Sequence, residues 1–386
     1  MCSVVLALYL VELQRYGAAA TGVLLALGMA GGLLAMLLVS VHADRIGRRQ
    51  FMCLLGLLSA AGATVLALAQ SAPVLAAACF FGMVNGMGRE RGASTIFDQA
   101  ILPQTTDDLG RTRALAWYNV WLDAGHALGA LLGVLPKALQ ALFGLDTLAS
   151  YRGSLLVLAG LLLAAALIPL LFSSQVEVKT SLVYWKLSRQ SQRRVVGFSA
   201  LSALDSLGGG FFAGAILAYW FYKRFNVDEA WIGPLFCAAR VLNGFSHLAA
   251  ARLASRLGLL RTMVFTHIPS SLLLMATTFA PTFPIAVIIY LLREGLSEMD
   301  LPTRQSYLIA LVRPEERTSA IAVTTLIRNA AWAVAPAFAG PLMQGVALWV
   351  PLCTGAGLKI VYDVLLYGTF RRIKPPEEAA ESAGAA

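Results

Sequence analysis

Eleven apolar stretches follow one another along this chain, at roughly 17–41, 51–70, 73–101, 114–136, 151–173, 195–222, 230–252, 262–280, 283–312, 316–342 and 348–370. About 20 residues of helix cross about 30 Å of hydrocarbon. Eleven such stretches leave too little polar sequence to clothe a water-soluble fold. Only 13% of the 386 residues are charged and 58% are hydrophobic, against about 25% charged in soluble domains. The pattern therefore specifies an all-α polytopic membrane protein. A twelfth run, Cys2 to Leu13, counted below as the first stretch, reaches only about 20 Å. A signal peptide, a re-entrant piece and a first spanning helix missing its start compete for it. MCSVVLAL lacks the positive opening of a signal peptide, so a truncated first helix is the favoured expectation.

Lysine and arginine placement sets the expected orientation. Alternate connections hold Arg45, Arg48, Arg49; Arg111, Arg113; Lys179, Lys186, Arg189, Arg193, Arg194; Arg252, Arg256, Arg261; Arg313, Arg317; and Arg371, Arg372, Lys374. The opposite connections hold Arg15, Lys137, Arg152, Lys223 and Arg224. Eighteen against five puts both termini and the middle loop in the cytoplasm of a cell (inner) membrane protein. The same placement accounts for the net charge of +9 through contact with the lipid bilayer, so no nucleic acid partner is expected. Residues 174–194 read as a cytoplasmic loop or interfacial helix, basic and carrying Tyr184 and Trp185. They separate an N-terminal six-helix bundle (1–173) from a C-terminal one (195–370), and 371–386 reads as a disordered tail.

The halves repeat. Ala43-Asp44-Arg45-Ile46-Gly47 aligns with Ala254-Ser255-Arg256-Leu257-Gly258 at an offset of 211. Each copy follows the second apolar stretch of its own half. Arg111-Thr112-Arg113-Ala114 matches Arg317-Thr318-Ser319-Ala320, and Gly133 matches Gly340. An ordered series of weak matches marks internal duplication, and parallel six-helix repeats are one arrangement of transporters.

On these residues the chain resembles the major facilitator superfamily. HADRIGRRQ is similar to that family's loop signature between its second and third helices, with Ser40 where the family has Gly and Ser255 where the second copy would have an acid. The resemblance implies two pseudo-symmetric six-helix bundles with the first, fourth, seventh and tenth helices lining a central cavity. It also implies a cytoplasmic latch of Asp44, Arg45, Gly47, Arg48, Arg49 and Asp98. Asp44 can accept from the next helix's N-terminal amides, and the arginines can reach carboxylates on neighbouring helix ends.

Fifteen ionisable residues remain within the apolar stretches: Arg89, Arg91, Arg240, Arg293, Arg304, Arg328 and Lys359, with Glu90, Asp98, Asp123, Asp205, Glu294, Glu298, Asp300 and Asp363. Each costs about 2.5–3.5 kcal/mol at the bilayer centre, so they must face one another or water. The fourth stretch carries NGMGRERGASTIFDQ and the tenth REGLSEMDLPTRQS, repeat counterparts. Arg91 and Asp98 share a helical face, as do Asp300 and Arg304. Pro302 has no N–H, so the Glu298 carbonyl loses its partner and a kink is expected there. Arg89, Glu90, Arg91, Glu298, Asp300 and Arg304 are the candidate substrate-binding residues. Asp205 has no cation within four residues. It reads either as an unpaired acid able to exchange protons or as the partner of Arg304 or Arg240, the second being favoured. Asp123, with His126 three residues on, raises the same question.

GMGRERG lacks the preceding strand of a dinucleotide loop, and Gly125, Gly129 and Gly133 read as a helix-packing seam. The family's antiporter signature on the fifth helix includes a Gly-Pro pair that Ala127-Leu128-Gly129-Ala130 lacks. Five cysteines and four histidines share no metal-ligand spacing, and no serine has a base nearby. Expected, then, is a monomeric secondary active transporter, without cofactor, metal or enzymatic activity, that moves a small polar or charged solute by rocking-bundle alternating access. Proton coupling is one option, and drug efflux or a non-transporting sensor or scaffold are the alternatives.

Overall fold

The computed structural model describes residues 1–13, 16–86, 108–173, 188–313 and 316–371; the side chains of 12, 13, 40–46, 108–117, 119, 190, 248, 251, 255, 302, 305, 306, 309, 310, 317 and 318 lie outside that description. Every element among these residues is helical. A short helix α1 (Cys2–Leu8) runs into a π-helical turn, Tyr9–Leu13, and is followed by α2 (Ala18–Ile46), α3 (Arg48–Leu68), α4 (Ala72–Gly82), α5 (Asp108–Leu131), α6 (Leu135–Phe143) and α7 (Thr147–Leu167). The later part holds α8 (Arg189–Gly210), α9 (Gly214–Phe225), α10 (Glu229–Leu257), α11 (Leu259–Thr278), α12 (Phe283–Ser297), α13 (Asp300–Ala310), α14 (Arg317–Gly345) and α15 (Val350–Phe370).

Among the described residues, eight helical stretches are long and apolar enough to cross a membrane. Three expected spans are broken or polar instead. The fourth stretch stops at Gly82, where Met83 turns into the left-handed region, and 87–107 lie outside the described residues. α10 is long enough but carries Glu229, Arg240, Arg252 and Arg256. The tenth stretch breaks at Glu298 and Met299, between α12 and α13. This is the kink expected from Pro302: the Glu298 carbonyl accepts from the Leu301 amide at 3.3 Å, a tighter turn in place of the lost bond. The loop expected to reach residue 194 ends sooner, since Arg189 to Arg194 form the first turns of α8. Residues 174–187 and 372–386 lie outside the described residues.

Contacts group the chain into two compact units. The first comprises Met1–Leu182, Phe211–Cys237 and Ala333–Pro351; the second, Val183–Gly210, Ala238–Trp332 and Leu352–Ala386. These groupings cut across the halves of the duplication, because Phe211–Cys237 and Ala333–Pro351 group with the first unit.

In the first unit α1 is apolar but for the half-buried Ser3, and Val4 to Leu8 are no more than 1% exposed. Glycines set the helix crossings. A Cβ on Gly22 would fall on the Pro336 carbonyl oxygen, and one on Gly340 on the Ala18 carbonyl oxygen, so α2 and α14 meet backbone to backbone. The side chain of Gln344 accepts from the Ala19 amide at 3.2 Å, satisfying one of the orphan donors at the start of α2. The expected glycine seam on α5 is only partly used. Gly133, in the 3-10 turn just after α5, abuts Val4, whereas a Cβ on Gly125 would meet open space.

The duplicated motif has one conformation in both copies. Gly47 (φ 100°) precedes α3 and Gly258 (φ 86°) precedes α11, and each carbonyl accepts the amide four residues on, Phe51 at 3.0 Å and Thr262 at 3.1 Å. Only glycine adopts that φ without strain, which is why it survives where Asp44 is replaced by Ser255. Arg49 donates to the carbonyls of Leu170 at 2.6 Å and Pro169 at 3.3 Å, at the carbonyl end of the α7 helix.

In the second unit an aromatic and aliphatic layer of Val195, Phe198, Met263, Tyr307, Leu366 and Phe370 joins α8, α11, α13 and α15. At its edge Glu316 holds the start of α8, accepting the Ser188 amide at 2.5 Å and the Ser191 hydroxyl. Those bonds favour the carboxylate and lower its pKa from the ordinary 4.5 to about 2.

Two predictions follow from this packing. Gly31→Ala places a methyl on the Phe80 carbonyl where α2 crosses α4, whereas Gly32→Ala meets nothing. The first should cost about 1–3 kcal/mol by overpacking and the second nothing or less, read as melting temperatures of the purified protein. Because the folded pKa of Glu316 lies below the unfolded value, its contribution is present in full above about pH 4.5 and is lost as pH falls towards about 2. The melting-temperature gap between wild type and Glu316→Gln should therefore be constant at neutral pH and close on acidification.

Candidate functional site

Asp205 sits on α8, 2% exposed. Three residues on, Gly208 faces α15 so closely that a Cβ would lie 2.7 Å from the Gly355 carbonyl and 3.1 Å from the Lys359 side chain. That close approach lets Lys359 reach across to Asp205. On the other flank the Ser199 and Thr324 hydroxyls bond at 2.8 Å. This registers α8 against α14 and places Arg328, one turn beyond Thr324, beside the same carboxylate. The break after Glu298 starts α13 at Asp300, in the first turn, where the helix dipole favours an acid. Arg304 follows at the i+4 position.

The geometry is a closed array. Asp205 Oδ1 accepts from Lys359 Nζ at 2.6 Å, and Oδ2 from Arg328 Nη1 at 3.0 Å and Arg304 Nη1 at 3.1 Å. Arg304 Nη1 also donates to Asp300 Oδ2 at 2.5 Å. Lys359 Nζ lies 3.2 Å from His267 Nε2, and His267 Nδ1 lies 2.9 Å from Asp363 Oδ2. An ammonium can only donate, so His267 Nε2 accepts and Nδ1 carries the proton given to Asp363. With that tautomer the histidine is neutral, and the acids Asp205, Asp300 and Asp363 balance Arg304, Arg328 and Lys359. Tyr362 stands edge-on to His267 with ring centroids 6.0 Å apart.

Burial divides the array. The side chains of Asp205, His267 and Asp363 are at most 3% exposed, that of Lys359 is 13% and that of Arg328 is 24%. The two cations thus form its accessible edge. Charges this deep persist only when paired. What the arrangement can do chemically is present cationic donors to a solute's anionic or hydrogen-bonding group while Asp205 competes for them.

Of the fifteen ionisable residues singled out in the sequence, Asp205, Asp300, Arg304, Arg328, Lys359 and Asp363 come together here; Asp300 and Arg304 are the two of them named as substrate-binding candidates. The reading of Asp205 as an unpaired acid is corrected: three cations hold it, Arg304 among them as the alternative expected, and the other two come from α14 and α15. Glu298 is half-buried in the turn between α12 and α13, and Asp123 is placed on α5, in the first unit. Arg89, Glu90, Arg91 and Asp98 lie outside the described residues, as do the side chains of Asp44 and Arg45. Arg293 pairs with its neighbour Glu294, a second buried ion pair on α12. His267 escaped the sequence reading as one of four scattered histidines. The signal that could have found it is the polar run Thr266-His267 and Ser270-Ser271 within an otherwise apolar helix, all four of them buried.

The array predicts a large, non-additive energetic signature. Asp205→Asn leaves three cations without their shared counter-charge and should cost about 3–5 kcal/mol. Adding Lys359→Met should recover part of that loss, so the double mutant falls short of the sum. Thermal unfolding of the three variants measures it.

A profile of the Major Facilitator Superfamily matches residues 1–336. The chain is 22% identical over 382 residues to the uncharacterized membrane protein YJR124C of Saccharomyces cerevisiae, covering 89% of this chain and 85% of that protein. Among solved structures it is similar to the nucleoside transporter NupG (14% identity, TM-score 0.69, 95% of this chain and 94% of that one). It is also similar to a D-xylose–proton symporter (12% identity, TM-score 0.71, 95% and 93%). At such identities the likeness to solved structures shows a shared fold. The match over most of the chain, on a multi-pass helical membrane protein, makes this a transporter rather than an enzyme: the chain belongs to the Major Facilitator Superfamily.

Proposed function

We propose that the protein is a secondary active transporter for a small polar solute bearing an anionic group, working by alternating access with the proton as coupling ion. The observation that carries this reading is the asymmetry of the Asp205 array: one deeply buried carboxylate shared by three cations, with Arg328 and Lys359 the more accessible two. A solute anion on Arg328 and Lys359 replaces Asp205 as their counter-charge. Withdrawal of Lys359 frees His267 Nε2, which lies 3.6 Å from Asp205 Oδ1 and has Asp363 on its other side. The imidazole then gains a proton as the solute binds, which couples the two. On this reading Asp205 acts as the competitor for the cations, and the imidazole, with Asp123 as a second candidate, carries the proton.

The remaining elements of the reading rest on the sequence. Arg89, Glu90, Arg91, Glu298, Asp300 and Arg304 are the substrate-binding residues of that reading, and Asp44, Arg45, Gly47, Arg48, Arg49 and Asp98 form the latch. The repeat halves 1–173 and 195–370 are the moving bundles of a monomer in the cell (inner) membrane, with both termini cytoplasmic. Pairing of most intramembrane charges among the described residues also suits a non-transporting scaffold held in one state.

Proteoliposome counterflow separates the two. With a panel of radiolabelled small carboxylates and phosphorylated solutes, a transporter gives saturable exchange of at least one, and a scaffold gives none. Arg328→Gln should raise KM for that solute about tenfold or more, equivalent to about 1.4 kcal/mol, while His267→Gln should keep exchange yet lose acceleration by an imposed pH gradient.

A further inference from the structure

The first turns of α8 carry a feature that the transport reading does not use. Arg189, Arg193, Gly197 and Leu201 recur every four residues and so fall on one helical stripe, with Arg194 beside it. Facing the stripe, Thr369 and Phe370 at the end of α15 close a groove of about 810 Å³. Its two ends differ in chemistry. At the basic end the three arginines are exposed, and none has a hydrogen-bonding or acidic partner among the described residues. Glu316, which meets the start of α8 through Ser188 and Ser191, is already committed to those two residues. At the other end the wall is apolar: Phe370 is 4% exposed and packs edge-on to Phe198 at 5.7 Å. Between them Gly197 leaves open space where any Cβ would project.

The groove runs from the polar start of α8 into its membrane-crossing part, which begins at Ser191. From Arg189 to Leu201 is about 18 Å of helix, long enough for a phosphate at one end and the first part of an acyl chain at the other. A free inorganic anion would use the arginines and leave the apolar length empty. A neutral lipid would use the apolar length and leave three guanidiniums unpaired. A molecule with one anionic phosphate and a hydrocarbon tail satisfies both ends, through charge-assisted bonds to planar guanidinium forks and burial of apolar surface.

We propose that this groove is a binding site for one anionic phospholipid, its phosphate held by Arg189, Arg193 and Arg194 and its acyl chain lying over Gly197 against Leu201 and Phe370. The site is separate from the Asp205 array and stands whether or not the transport reading does.

The test is retention and thermal stabilisation of the full-length protein in detergent, with dioleoyl phosphatidylglycerol, dioleoyl phosphatidylcholine or inorganic phosphate added. Native mass spectrometry should show one phosphatidylglycerol retained and little phosphatidylcholine. The melting temperature should rise with phosphatidylglycerol alone, and less so at high salt. Arg193→Gln/Arg194→Gln should weaken retention tenfold or more. Gly197→Leu, which keeps every charge and fills only the open space, should do the same while leaving the melting temperature of lipid-free protein unchanged. Equal retention of both lipids would overturn the proposal, as would stabilisation by phosphate alone that is indifferent to Gly197→Leu, which marks a plain anion site. So would phosphatidylglycerol binding untouched by either variant, which places the lipid elsewhere or leaves the groove to another segment of the chain.

Discussion

Asp205 and the three cations that share it are the constraint to which the second unit is built. A carboxylate 2% exposed within an apolar helix has no water to solvate it, so counter-charges must be brought to it. They come from three other helices: Arg304 from α13, Arg328 from α14 and Lys359 from α15. Each arrival needs its own local device. Gly208 lets α15 approach, the Ser199–Thr324 bond sets the register of α14, and the break after Glu298 points α13 inward with Asp300 and Arg304 on one face. The apolar layer centred on Phe198, Tyr307 and Phe370 then supplies the packing that holds these helices at those distances.

Such an array contributes little net stability compared with an apolar core of the same volume. Its value lies in being balanced and yet breakable. Three acids against three bases cost little while every partner is in place, and a great deal if one leaves without a substitute. A protein that must alternate between states can use that steepness, since a solute able to stand in for one partner shifts the balance where other solutes do not. The accessible edge at Arg328 and Lys359 is where substitution is cheapest.

The first unit depends on a different constraint. Its helices cross through glycines, Gly22 and Gly340 between α2 and α14 and Gly31 between α2 and α4. With no water to expel from between helices in lipid, close backbone approach and dispersion supply the attraction. Large apolar side chains point away from these crossings: Leu34, Leu37 and Leu38 on α2 are all more than 40% exposed, as lipid-facing residues should be.

Much of the architecture could be read from the chain alone, because hydrophobic length and charge spacing are one-dimensional properties. Eight of the eleven apolar stretches, the duplicated motif around Gly47 and Gly258 and the kink near Pro302 follow from residue order, since each depends on neighbours within a turn or two. The pairing of Asp300 with Arg304 was legible for the same reason. Which cations meet Asp205 was not: Arg328 and Lys359 lie 123 and 154 residues away, and nothing local distinguishes them from Arg240 or Arg293. His267 gains meaning only when α11 and α15 set it between Lys359 and Asp363. Residue order determined that these charges must be paired, since hydrocarbon tolerates no lone ion. Helix packing decided the partners, because only close crossings bring side chains from distant turns within hydrogen-bonding reach.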